Sequence, residues 1–218
     1  SDAVAFASST VSMPASASIV ESATRRTPET SSRRASRRLA SVMLEREEAD
    51  DVIATLARSA EQAELEVVIV STDRDLMQLV SERVSLLDSM RDRLYGPAEV
   101  EERFGVPPER MLDFRALVGD SSDNIPGVAG IGEKGAARLL AQYASLDEVL
   151  ESAGEISAKR QRESLLAGAD DARLSRDLSR LRDELSLGIE VAELRVVEPD
   201  ESALRELFRE FDLRRLLD

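Results

Sequence analysis

The chain has 218 residues, enough for one medium domain or two small ones. It carries 29 basic and 43 acidic residues, a formal net charge of −14, which argues at first against a nucleic-acid binder. Cysteine and histidine are both absent, so disulfides, thiolate zinc sites, Ser-His-Asp triads and histidine bases are excluded, and carboxylates must carry most of any chemistry.

Aromatic residues are 3% of the chain, so a core must be built from Leu, Val, Ile and Ala. No apolar run approaches the roughly 18 residues of a membrane span, and no cleavable signal is visible. A cytoplasmic protein is expected. The chain begins at Ser1 rather than Met, which suits a fragment or a processed chain.

Residues 1–44 differ in character from the rest of the chain. They hold 11 Ser and 8 Ala, and six Arg against three acids. Such a composition buries little surface and predicts a disordered tail. From residue 45 the pattern changes. Ala49, Val52, Ile53, Leu56, Ala57 and Ala60 have the spacing of one helical face, predicting a helix over 48–62. Residues 66–70 form a short β-branched run, read as a strand buried on both faces of a parallel sheet. A short helix over 76–80 and strands over 84–87 and 93–95 come next. Residues 97–104 and 108–118 read as helices, each opened by Pro. A loop rich in Gly, Asp and Ser covers 119–135. Helices are expected over 136–143, 146–152 and 158–184, a strand over 189–197, and a closing amphipathic helix over 201–217. The order is α/β first and mainly helical second.

Three acidic clusters stand out. Glu48-Ala49-Asp50-Asp51 opens the first helix, where acids also simply favour the dipole. Ser71-Thr72-Asp73-Arg74-Asp75 comes directly after a strand, where open parallel sheets bind ligands, although Asp73 also reads as a helix cap. Gly119-Asp120-Ser121-Ser122-Asp123 comes after a helix and also reads as a polar turn. Glu48, Asp50, Asp51, Asp73, Asp75, Asp120 and Asp123 together would repel one another without cations. Hard divalent ions, Mg²⁺ or Mn²⁺, relieve that repulsion. A pair of ions about 4 Å apart suits phosphodiester hydrolysis without any histidine.

Gly130-Ile131-Gly132-Glu133-Lys134-Gly135 matches G-x-G-x-x-G, but no strand precedes it, so a dinucleotide fold is rejected. A glycine hairpin between helices, with backbone approaching phosphate, fits better. Lys134 is one of two lysines in the chain, and its place in a first helical turn opposes the helix dipole.

These motifs, with Leu117-Val118-Gly119-Asp120-Ser121-Ser122-Asp123-Asn124-Ile125-Pro126-Gly127-Val128, resemble the 5′→3′ exonuclease domain of bacterial DNA polymerase I, in the flap-endonuclease superfamily. The resemblance covers residues 45–218. It implies a PIN-like α/β core with parallel strands, followed by a mainly helical helix-hairpin-helix (H3TH) domain. The segments would be a remnant of the N-terminal core and arch at 1–44, the core at 45–118, the H3TH domain at 119–188 and a segment packing back at 189–218.

The resemblance also implies two-metal cleavage of 5′ flaps and nicked duplex in primer removal and repair. All seven carboxylates named above would be ligands and catalytic groups. The hairpin, through Gly127, Val128, Gly130, Ile131, Gly132 and Lys134, would hold duplex DNA, with a K⁺ on its carbonyls. A polymerase domain beyond residue 218, a monomer, and a nucleoid location are the associated expectations. The chain departs from the family at its start. The first metal-binding strand is missing, and Ala7 stands where a second strand should end in Asp. A catalytically impaired DNA-binding remnant is therefore a rival expectation, and a PIN-type ribonuclease a weaker one.

Charge by segment softens the opening objection. Residues 45–133 carry −12, residues 134–182 carry +1, and residues 183–218 carry −6. The acid excess is concentrated where the cation site is expected.

Overall fold

The computed structural model describes residues 3–7, 42–194 and 201–213. Most of the expected disordered tail lies outside these residues, as do 195–197 of the expected strand and 214–217 of the closing helix. Within the tail, however, Ala3–Ala7 forms a strand, β1.

The other strands are β2 (Glu66–Val70), β3 (Val84–Asp88) and β4 (Arg93–Tyr95). They form one sheet in the order β1-β2-β3-β4. β1 and β3 both run parallel to β2, and β4 closes the edge antiparallel to β3. Only Val67 and Ile69 of β2 are fully buried, and the strand alternates rather than being covered equally on both faces as its apolar run implied. In β1, Ala7 pairs in register with Val70, the last residue of β2.

Helix α1 (Ala49–Gln62) crosses from β1 to β2, as a parallel pair requires. Its apolar stripe, including Val52, Ile53, Leu56 and Ala60, is buried against the sheet. A 3-10 turn over Asp75–Leu79 replaces the short α-helix expected there. Helix α2 (Pro97–Phe104) has Pro at its start and Gly105 in the left-handed conformation at its end. The second Pro-opened segment divides into a 3-10 turn, Pro108–Arg110, and helix α3 (Met111–Val118). Phe114 of α3 meets Phe104 of α2 edge to face, 5.8 Å between centroids.

The helical part continues with α4 (Glu133–Gln142), α5 (Leu146–Glu151), α6 (Lys159–Ala167) and α7 (Ala169–Ser179). The single long helix expected over 158–184 is therefore two helices broken at Gly168. A side chain there would crowd Ser164 O at 3.1 Å and Val128 Cγ1 at 3.2 Å, so the break seats the α6–α7 corner on the loop after α3. After α7 the chain runs extended across α1. The strand expected from 189 is a 3-10 turn, Val191–Glu193, in its described part. Helix α8 (Glu201–Glu210) comes last. A continuous apolar cluster joins sheet and helices, from Val52 to Val191. No helix among the described residues is long and apolar enough to cross a membrane.

Candidate functional site

Beyond the C-terminal end of β2 the first two acidic clusters meet. Glu48 occupies the N-cap of α1 but makes no side-chain cap bond, and it is exposed. Asp50, at the start of the helix, is largely covered. Burial pushes its carboxyl up to about 7, and the carboxylates of Asp73, Asp75, Glu48 and Asp51 push it further the same way. These five acids therefore share one field. Asp73 also acts as a turn residue: its N–H donates to Ser71 Oγ at 3.0 Å, and its Oδ1 accepts the Asp75 N–H at 2.9 Å. Asp73 is thus not the expected helix cap, a position taken by Arg74 without a side-chain bond, but holds a turn while lying in the acidic group.

Asp51 has a different partner from the one expected. It is buried, and its carboxylate accepts from Arg182: from N–H at 2.8 Å, from Nε at 2.8 Å and from Nη2 at 2.7 Å. Arg182 also binds Glu47. Thr55 Oγ1 accepts the Leu185 N–H at 3.2 Å, so the segment after α7 is strapped to α1. Both oxygens of Asp51 serve that strap.

The third cluster sits on a loop framed by two glycines. Gly119 (φ 74°) and Gly127 (φ 60°) pack backbone to backbone. A Cβ on Gly127 would lie 2.4 Å from Gly119 N, and one on Gly119 would lie 2.6 Å from Ile125 O. Asp120 and Ile125 exchange backbone hydrogen bonds of 2.9 and 2.7 Å across the loop. Gly127 N–H donates to the buried Ser175 Oγ of α7 at 2.9 Å.

This frame aims Asp120 at α3. Its Oδ2 accepts from Arg115 Nη2 at 2.7 Å, and its Oδ1 accepts from Ser122 N–H at 2.7 Å and from the Ser122 hydroxyl. Burial opposes ionisation of Asp120, but the bonds from Ser122 and Arg115 outweigh it and hold the carboxyl at about 2. Asp123 is exposed on the same loop.

Arg115 links the clusters. Its Nε lies 2.5 Å from Asp75 Oδ1. Burial raises the Asp75 carboxyl, Arg115 pulls it back, and Asp73 adds to the rise, leaving it above its ordinary value. A small open cleft of about 180 Å³ adjoins this arrangement, with Arg74, Arg115, Asp120 and Ser121 in its lining. Neither Arg115 nor Arg182 stands out from sequence. Arg115 had a signal, because it takes a core-facing place in Met111-Leu112-Asp113-Phe114-Arg115 beside buried Phe114 and Met111.

The donor chemistry fits a hard divalent cation. The group is all carboxylate, and Asp50 faces no cation among the described ion pairs. The geometry is less complete: among the described residues no three such side chains are gathered tightly enough to hold an ion, and Arg115 and Arg182 retain three of the expected ligands.

The hairpin divides in two. Gly127, Val128 and Ile131 are buried, and the last two side chains anchor the loop in the core rather than face a partner. Gly130, Gly132 and Lys134 lie outside that core, with Gly132 the N-cap of α4 and Lys134 in its first turn.

Two family models match in tandem: the 5′-3′ exonuclease N-terminal resolvase-like domain over residues 28–105, and the 5′-3′ exonuclease C-terminal SAM fold over residues 106–202. The chain belongs to the 5′-3′ exonuclease family. Its α/β part is the PIN-like, resolvase-like core of that family, and helices α3 to α7 fall in its C-terminal fold. DNA polymerase I of Rhizobium leguminosarum is 54% identical over 152 residues, covering 70% of this chain and 15% of that protein. The thermostable DNA polymerase I of Thermus filiformis is 47% identical over 171 residues, covering 78% of this chain and 20% of that protein. The chain thus spans a fifth or less of these relatives. Among solved structures, T5 5′-exonuclease with bound divalent metal ions (zinc) superposes with a TM-score of 0.58 at 25% identity, covering 62% of this chain and 50% of that one.

Proposed function

We propose that this chain is the 5′→3′ exonuclease and 5′-flap endonuclease region of a DNA polymerase I-type protein, hydrolysing DNA phosphodiesters in primer removal and repair. The observation that carries this reading is the carboxyl of Asp50, raised first by burial and then by acids from two separate segments beyond the end of β2. Ligands bind at that end of open parallel sheets. The core comprises residues 45–118 with β1, the H3TH region 119–188, and the closing segment 189–218.

Glu48, Asp50, Asp73 and Asp75, with Asp120 and Asp123 across Arg115, would hold Mg²⁺ or Mn²⁺. Two such ions, when bound, supply an activated water and offset charge at the scissile phosphate. Asp51 acts through position, fixing the end of α1 by its bond to Arg182. Asp73 holds the turn that carries Asp75. Gly130, Gly132 and Lys134 approach the duplex backbone, with K⁺ on the hairpin carbonyls. A monomer working beside a polymerase domain, on chromosomal DNA in the cytoplasm, completes the reading.

A second reading has one specific observation in its favour. Ala7 stands in register with Val70 at the end of the sheet where the family pattern calls for Asp. The chain would then bind DNA without cutting it. Cleavage of a 5′-flap substrate with Mg²⁺ separates the two. The nuclease reading expects cutting that falls by about a hundredfold or more in Asp50→Ala and Asp73→Ala, as for loss of a group acting at the transition state. Flap binding with no cutting by any of the three chains establishes the remnant. Cutting that survives both substitutions overturns the metal assignment.

A further inference from the structure

We propose that Arg115 is a positioning residue that holds the place of one divalent ion and so sets the order in which ions enter the site. This rests on the nuclease reading above and deepens it.

Arg115 is only 7% exposed, and within its largely apolar surroundings it meets two carboxylates. Its Nε is 2.5 Å from Asp75 and its Nη2 is 2.7 Å from Asp120. Those acids come from different segments, the turn after β2 and the loop after α3. Among the described ion pairs, the guanidinium bridges the two clusters, the service a shared cation would perform.

The bridge is not well satisfied at one end. Arg115 Nε and Asp75 Oδ1 are both buried, and neither has a properly directed hydrogen bond despite their closeness. That contact is charge against charge, without the alignment that makes a guanidinium–carboxylate pair strong. Such a pair is open to competition from an ion of higher charge. By contrast Asp50 and Asp73 face no cation among the described ion pairs. An entering ion therefore meets Asp50 and Asp73 with no cation beside them among the described ion pairs, and meets Asp75 and Asp120 sharing the single positive charge of Arg115. A second ion must compete with that guanidinium, which repels it at contact range.

The consequence is two unequal binding steps in the DNA-free chain. Mn²⁺ titration of the full chain, with free ion followed by electron paramagnetic resonance, counts them. The expected result is one ion bound at least about tenfold more tightly than the second, a gap of one unit charge at a partly screened site. Arg115→Met should tighten the second step by about tenfold or more, while Arg115→Lys, which retains a cation, should keep the native order. Mg²⁺ titration of the unsubstituted chain, labelled with ¹⁵N-arginine, supplies a readout free of folding defects. The Arg115 Nε resonance should stay still through the first equivalent and move with the second.

Two equivalent ions on the native chain overturn the inference and leave the nuclease reading intact. So does an Arg115 resonance that moves with the first ion. No ion bound to the native chain overturns both.

Discussion

Asp50 and Asp120 are the same residue type in the same site, and their environments drive them in opposite directions. Asp50 sits at the start of α1 among other acids, with its carboxyl raised to about 7. Asp120 sits on the loop after α3, with Arg115 and Ser122 around it, and its carboxyl is held at about 2. Both are partly withdrawn from water. The difference lies in what the backbone supplies beside them. The loop and α3 bring Asp120 donors, whereas among the described residues Asp50 is flanked by carboxylates from its own helix start and from the turn after β2. Burial alone therefore does not set the direction of a carboxyl's shift; the donors beside it do.

The comparison can be broken most forcefully at the glycine frame. Gly127→Ala places a Cβ 2.4 Å from backbone at positive φ, and should cost about 3 kcal/mol in urea unfolding. A loss below about 1 kcal/mol would mean that the loop shifts freely and does not fix Asp120.

Next comes Asp120→Asn, expected to cost about 2 kcal/mol at neutral pH through lost charge-assisted bonds. Because the folded pKa of Asp120 is depressed, its stabilisation is present above about pH 4 and is lost as pH falls towards about 2. The stability gap between native and variant should close over that window. A gap that persists at the acid end would assign the effect to shape rather than charge.

Asp50→Asn should do the reverse. With the folded pKa raised, the folded chain holds its proton longer than the unfolded chain, so stability falls as pH climbs from about 4 to about 7. In EDTA the variant should be about 1 kcal/mol more stable than native at about pH 8, with a flatter profile by thermal melting. Mg²⁺ should reverse the order. Equal profiles would remove the contrast with Asp120.

The smallest effect is expected at Lys134. Lys134→Ala should weaken duplex binding evenly across sequences and lower the salt slope by about 1. Strong dependence of the effect on base sequence would count against a backbone-binding hairpin.

Much of the fold was legible because local chemistry decided it. The stripe from Ala49 to Ala60 marked α1 to within a residue at its start, and Pro97 and Pro108 marked two helical starts. Gly168 was missed because its neighbours Leu165 and Ala172 keep helical spacing; only packing against Val128 shows why the helix breaks there. The strand expected from 189 failed because Val191 is buried by α1 instead of by a neighbouring strand.

In the site, the acidic clusters were visible as short runs, since each lies on one turn or loop. Their cations were not. Arg115 and Arg182 reach their acids across the fold, and nothing in local spacing distinguishes Asp51, bound to Arg182, from Asp50, bound to no arginine among the described ion pairs.

The strap over α1 has a consequence for how the protein is made. Asp51 and Arg182 are 131 positions apart in the chain. On a ribosome, the acidic end of α1 emerges long before its partner does. Until Arg182 is available, Asp51 must either stay in water or enter the core as a lone charge, which is costly. The start of α1 therefore gains its buried ion pair only once the segment after α7 is available. A nascent chain halted before residue 182 would carry every carboxylate of the site and still lack the arginine that seats the helix start bearing three of them.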